Sequence, residues 1–177
     1  SLKIGRGPTP SSDTGHGSAT VNADGVVNVA GPTLIGGTGL GSGALTVNEG
    51  ARLTTAGLTV GASGVFTHNG GVVTVASGPF LPSSTAQLRV SGAADIGLVL
   101  DSIPNTVTFT AASNSADAIL LGSGGVGDLT LRGGTRMTVG AGDLRLGDGA
   151  GSIGRLTLET GAVDRVVTAI YGGASMV

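Results

Sequence analysis

The chain has 177 residues, and 35 of them are Gly, about three times the roughly 7% usual in proteins. Charged residues make up 11% and aromatics 2%, with nine Lys and Arg against eleven Asp and Glu for a net charge of −2. Gly costs a helix roughly 1 kcal/mol relative to Ala, which disfavours a helical bundle or a doubly wound α/β enzyme, and 40% hydrophobic residues argue against disorder.

An all-β protein with a narrow core of Val, Leu, Ile and Ala remains. No charge run marks a nucleic-acid or anionic-membrane surface. Cys is absent, which removes disulfides and thiolate chemistry. No apolar run approaches the roughly 18 residues of a membrane-spanning helix. Ser1-Leu2-Lys3-Ile4-Gly5 does not read as a signal peptide, so the expectation is a chain without an export route.

Residues 1–18 carry two prolines and many Gly and Ser around Leu2 and Ile4. They read as an extended arm, either one that orders on a partner or a frayed terminus. Residues 19–78 form a first block of short apolar-polar-apolar triplets: Leu45-Thr46-Val47, Leu58-Thr59-Val60 and Val73-Thr74-Val75, with Leu53 and Phe66 between them. Residues 79–104 read as a connector with Pro79, Pro82 and Pro104 at edges or connections, and with strands at Gln87-Leu88-Arg89-Val90 and Leu98-Val99-Leu100. Residues 105–161 form a second block, opening on Val107-Thr108-Phe109 and continuing through Leu129-Thr130-Leu131, Met137, Leu144-Arg145-Leu146 and Leu156-Thr157-Leu158. In residues 162–177, Val163, Val166, Val167 and Ile170 fall at helical spacing, with Thr160 as a cap and Gly172 as a stop; their β-branched content equally suits a strand.

Alternation within each triplet buries one face and leaves Thr or Arg on the other. The step from one triplet to the next, as from Leu45 to Leu58 or from Leu144 to Leu156, is too short for a strand plus a helix. It fits a strand, a turn and a second strand. Such self-similarity predicts Gly-rich repetitive β coils stacked as a β-solenoid. A β-sandwich of regular hairpins, or an intertwined trimeric β fibre, gives the same pattern.

Gly122-Ser123-Gly124-Gly125-Val126-Gly127 has the G-x-G-x-x-G spacing of a dinucleotide loop, but Asp128-Leu129-Thr130-Leu131 after it reads as a strand where a phosphate site needs a helix. Gly124 to Asp128 approaches a calcium-binding nonapeptide, yet Asp143 and Asp148 are out of phase, so turn capping is the expected role of these Asp residues. His16 in the arm and His68 in the turn Thr67–Gly71 are too few for a closed zinc site. Glu49 and Glu159 are the only glutamates, which leaves little for paired-carboxylate glycoside chemistry. The expectation is no catalytic, cofactor-binding or metal-binding residues. Eight Arg to one Lys points to Arg52, Arg132, Arg136, Arg145 and Arg155 bridging carboxylates between coils or subunits, and Thr ladders on exposed strand faces would serve the same stacking.

Leu144-Arg145-Leu146-Gly147-Asp148-Gly149-Ala150-Gly151 and onward to Val163 resembles the Gly-rich repeats of bacterial autotransporter passengers, and Leu45 to Gly71 is similar with looser phase. These coils also resemble those of bacteriophage fibres and tailspikes. The first resemblance implies a right-handed β-solenoid displayed for adhesion. The second implies a non-catalytic structural virion protein: a fibre, spike, or capsid or tail decoration exposed on the particle. Without an export signal or a C-terminal barrel in the chain, the virion reading is preferred and an exported surface adhesin at the bacterial cell surface is the alternative. Partners are then other copies in a homo-oligomer, preferentially a trimer, other virion proteins, and a host-surface receptor or glycan; neither nucleic acid nor membrane is expected.

Overall fold

Apolar-polar alternation becomes strand almost wherever it occurs, and Gly-rich segments turn the chain between strands. The computed structural model describes residues 1–5, 15–37, 41–82, 88–90, 97–111 and 116–159. Among the described residues the fold is all-β, with 69% strand and no helix. The first eight strands are β1 (Leu2–Ile4), β2 (His16–Val21), β3 (Val26–Ile35), β4 (Ser42–Asn48), β5 (Arg52–Val60), β6 (Gly64–Asn69), β7 (Val72–Ala76) and β8 (Phe80–Leu81). The other eight are β9 (Leu88–Val90), β10 (Gly97–Asp101), β11 (Val107–Thr110), β12 (Asp117–Ser123), β13 (Val126–Arg132), β14 (Met137–Ala141), β15 (Asp143–Asp148) and β16 (Ile153–Leu158).

A long sheet runs β1-β3-β5-β7-β10-β13-β16, with β8 also paired to β5. Three smaller sheets are β2-β4-β6 near the N-terminus, β9-β12-β15 towards the C-terminus, and the pair β11-β14. Every pairing among the described strands is parallel. The regular antiparallel hairpins of a β-sandwich are therefore absent from the described residues.

The register also revises the repeat. Successive triplets do not stack on each other: Leu45 lies against Ala19 and Phe66, whereas Leu58 lies against Thr33 and Phe80. The chain returns to the long sheet at unequal intervals. Arg52 meets Val72 after a short pass, and Leu98 meets Leu129 only after a pass half as long again. Alternation reports which face a residue occupies and is silent on which sheet receives the strand.

Two inward columns run along the long sheet. One is Val27-Leu53-Val73-Leu98-Leu129-Leu156 and the other Val29-Thr55-Val75-Leu100-Leu131-Leu158. Leu98 and Leu100, in the segment read as a connector, are thus among the fully buried side chains of the core. Thr55 is tolerated inside an apolar column because its hydroxyl pairs with that of Thr33 at 3.0 Å and donates to the Gly57 carbonyl at 2.8 Å; an unpaired buried hydroxyl would cost about 1–3 kcal/mol. Pro32 sits inside β3, where the register with β5 shifts between Val29 and Pro32, as a residue without a ladder donor requires. Residues of the expected arm are also strand: Leu2–Ile4 pairs with Thr33–Ile35, and His16–Ser18 pairs with Ser42–Ala44. The expected helix or strand after Thr160 lies outside the described residues.

Glycine columns join the sheets. Gly17, Gly43 and Gly64 are in register where the chain enters the N-terminal sheet, directly beside the backbone leaving the long sheet. A Cβ on Gly43 would collide with the Ile4 carbonyl and the Gly36 amide, and one on Gly64 with the Ile35 carbonyl. At the C-terminal corner Gly127 and Gly154 are in register, and their Cβ atoms would strike the Val90 and Leu121 carbonyls. Lack of room, more than a turn conformation, selects glycine at these four positions.

Candidate functional site

Apart from the buried Thr33, Thr55, His68 and Thr135, the side chains that carry polar chemistry lie on the outer faces, because the inner ones are committed to the core. Thr20, Thr46 and Thr67 stack in register on the N-terminal sheet, and Thr54 and Thr74, then Thr130 and Thr157, on the long sheet. These expected exposed-face Thr residues form cross-strand columns of the kind that stabilises sheets, whereas Thr59 lies between Leu34 and Leu81 and joins none.

At the end of the N-terminal sheet, Asn48 donates from Nδ2 to Asn22 Oδ1 at 3.0 Å, and Asn69 donates to Asn48 Oδ1 at 3.4 Å. Parallel strands in register bring identical amides into line, so the central one both donates and accepts. The recurrence of Asn after each valine or histidine at 22, 48 and 69 is the available signal for this row, and the unequal spacing conceals it. Asn48→Ala removes the central member and is expected to lower stability by about 1 kcal/mol, read as a fall in the urea midpoint; Asn69→Ala, which removes the longer bond alone, should cost less.

Three of the five arginines singled out by the sequence bridge successive passes of the chain. Arg132 Nε lies 2.9 Å from Asp101 Oδ2, Arg145 Nε 3.0 Å from Asp117 Oδ1, and Arg155 Nη1 3.3 Å from Asp128 Oδ1. Arg145 also reaches Asp148 at 3.3 Å. The Arg132 and Arg155 pairs are partly exposed and contribute at most about 1 kcal/mol each, while Asp117 of the Arg145 pair is mostly buried; the geometric role of all three is to favour one register. Arg52 and Arg136 form no ion pair among the described residues. Arg52 instead borders a shallow hollow of about 320 Å³ with Asp24, Val26, Gly50, Ala51 and Val72.

The G-x-G-x-x-G segment passes from β12 through Gly124 and Gly125 directly into β13. No helix N-terminus is present there to receive a phosphate. Asp128 and Asp148 are engaged by arginines, and no group of three His, Asp or Glu among the described residues is placed to hold a metal ion. The two histidines are far apart in role. His16 opens β2, its Nδ1 2.8 Å from Ser42 Oγ. His68, expected in a turn, lies in β6 and is buried, and neither ring nitrogen has a hydrogen-bond partner. Burial pushes its pKa below the ordinary histidine value, against a smaller opposing pull from the backbone of Gly71 and Gly97.

The last described pass exposes apolar area. Ile153 and Leu158 in β16 are 45% and 43% exposed, and among the described strands nothing pairs with the outer edge of β14, β15 or β16. The chain matches no family model, no curated protein and no solved structure.

Proposed function

We propose that the chain is a β-solenoid serving as a non-catalytic structural component of a virion surface: a fibre, a spike, or a capsid or tail decoration working as a homotrimer. The observation that carries this reading is where the polar residues go. Thr, Asn and the Arg-Asp pairs are spent on neighbouring passes of the same chain, as a scaffold requires. Parallel pairing of each long-sheet strand with one a full pass earlier, as in Arg52 with Val72 and Leu98 with Leu129, supports a solenoid, in which each pass buries its apolar face against the next. The Gly-rich segment from Leu144 onward, with its resemblance to fibre and tailspike coils, supports the virion setting.

Assembly follows from the edges. The side of β16 that no described strand pairs with, where Ile153 and Leu158 are partly exposed, is a surface that further strands or subunits would cover. Arg52 and Arg136, without an ion pair among the described residues, are available to bridge between subunits. Light scattering at micromolar concentration is expected to give about three times the chain mass of 16.9 kDa. A monodisperse mass near that of one chain would overturn the trimer.

The resemblance of the same segment to autotransporter passengers supports a second reading, an exported bacterial surface adhesin. Gene neighbourhood separates the two. Capsid, portal or tail genes beside this one are expected; a full-length product with a cleaved leader and a C-terminal barrel would reverse the order.

A further inference from the structure

His68 occupies a place the fold otherwise gives to valine. In the N-terminal sheet the inward column reads Val21-Val47-His68, and β6 is the final strand of that sheet. Beyond it the architecture changes, because the chain next builds β9 of the C-terminal sheet. The imidazole is 9% exposed and both its nitrogens are shut off from water without a hydrogen-bond partner. Close to it the Gly97 amide donates to the Gly71 carbonyl at 3.1 Å, tying the turn after β6 to the start of β10.

We propose that this level of the molecule is an acid-sensitive seam, at which protonation of His68 loosens β6, its neighbour β4 and the turn into β7 while the far end of the long sheet, β13 and β16, stays closed.

Among the described residues no carboxylate faces the imidazole to balance a charge on it. Strands β3, β4, β5 and β9 pack against β6. Within their bounds β3 and β4 carry no titratable side chain, and Glu49, just after β4, is exposed. Arg52 of β5 and Arg89 of β9 are exposed and are cations in any case. Across the Gly71–Gly97 link, β7 has no titratable side chain, and Asp101 of β10 is paired with Arg132. The imidazolium would have only backbone groups to meet, the Gly71 carbonyl that Gly97 also engages among them, and their pull is smaller than the cost of burial. Burying an unpaired charge is far costlier than burying a neutral ring.

The sign follows from linkage. The neutral ring is favoured when the seam is closed, and an opened seam binds a proton with the ordinary pKa of about 6.5. Closure is therefore complete above about pH 6.5 and is progressively lost as pH falls below it. The opening constant rises by up to about tenfold per pH unit within the window between the two pKa values.

Hydrogen exchange on the full chain from pH 8 to pH 5, corrected for the intrinsic pH dependence of exchange, is the test. Opening of β4, β6 and β7 should rise several-fold towards pH 5 while β13 and β16 stay flat. His68→Leu and His68→Gln should both abolish the rise, and Gln retains a polar side chain should Leu fold poorly. The His68 ring resonances of the unmutated chain should titrate below pH 6.5. A flat profile in the unmutated protein, a rise equal across all sheets, the same rise in the variants, or titration at or above pH 6.5 would each overturn the proposal.

Discussion

Gly43→Ala is expected to destabilise the protein by about 3 kcal/mol or more. The added methyl would meet backbone on two sides, the Ile4 carbonyl and the Gly36 amide, and neither is a flexible side chain that could swing away. Relief requires β4 to separate from the long sheet at the point where Gly17, Gly43 and Gly64 stack. The disturbance is therefore shared by three passes of the chain. Gly97→Ala is the matched control. Among the described residues its Cβ would find only the Asp128 carbonyl, at 3.9 Å, and its φ is not among the positive ones. It should be neutral, or stabilising by about 0.4–1 kcal/mol through the unfolded chain. Urea unfolding of the two variants decides the matter. Similar losses in both would mean that steric exclusion is not what selects glycine at the corner.

Phe109→Ala should cost about 3–5 kcal/mol, a large share of the roughly 5–15 kcal/mol by which folded domains are stable. Phe109 is 1% exposed and heads the large, fully buried side chains. Its ring lies 6.0 Å from that of Phe80 with the planes tilted by 58°, within the range of favourable aromatic pairs. Phe80 in turn is held by Asn105, whose side-chain amide accepts from the Phe80 amide at 3.1 Å and donates to the Phe80 carbonyl at 2.9 Å. That amide stands in for a missing strand neighbour of β8. Truncating Phe109 would thus empty the bulkiest site of a core otherwise built mainly from Val, Leu and Ile. Phe109→Leu, which keeps most of the volume, should lose clearly less. A thermal midpoint unchanged by the alanine variant would show that this packing carries no weight.

Much of the core is legible from alternation alone. Apolar-polar alternation points Leu45, Val47, Leu53, Leu58, Val60, Val73, Val75, Leu129, Leu131 and Leu144 inward, and all are buried. Their partners are not legible. Leu45 and Leu58 share a motif but enter different sheets, because period-two alternation carries no information about the turn between strands. The recurrences that do mark successive passes, Gly17-Gly43-Gly64 and Asn22-Asn48-Asn69, come at unequal intervals, so a search at fixed period misses them. Of the polar surface, the arginine pairs follow from composition: Arg132, Arg145 and Arg155 find carboxylates on neighbouring passes. The burial of His68 does not. A histidine beside Asn69-Gly70-Gly71 has the sequence surroundings of a turn, and only the pairing of Val47 with His68 places it inside.

The variable distance between paired strands has a consequence for how such a chain changes over time. Closing a flexible loop becomes costlier only with the logarithm of its length, about 0.6 kcal/mol for each doubling. The longer pass from Leu98 to Leu129 is therefore nearly as easy to close as the shorter one from Arg52 to Val72. Insertions and deletions at the corners leave the columns of Leu and Val in step, whereas a single residue gained inside a strand would turn every following side chain to the opposite face. The turn between β15 and β16 is one corner with room for this: among the described residues a Cβ on Gly151 would meet nothing within 4 Å, and one on Gly149 only the Ser152 hydroxyl at 3.8 Å, with the positive φ of both glycines the remaining constraint. Growth by insertion is open to this architecture at such corners, and its strands are the part that must be inherited intact.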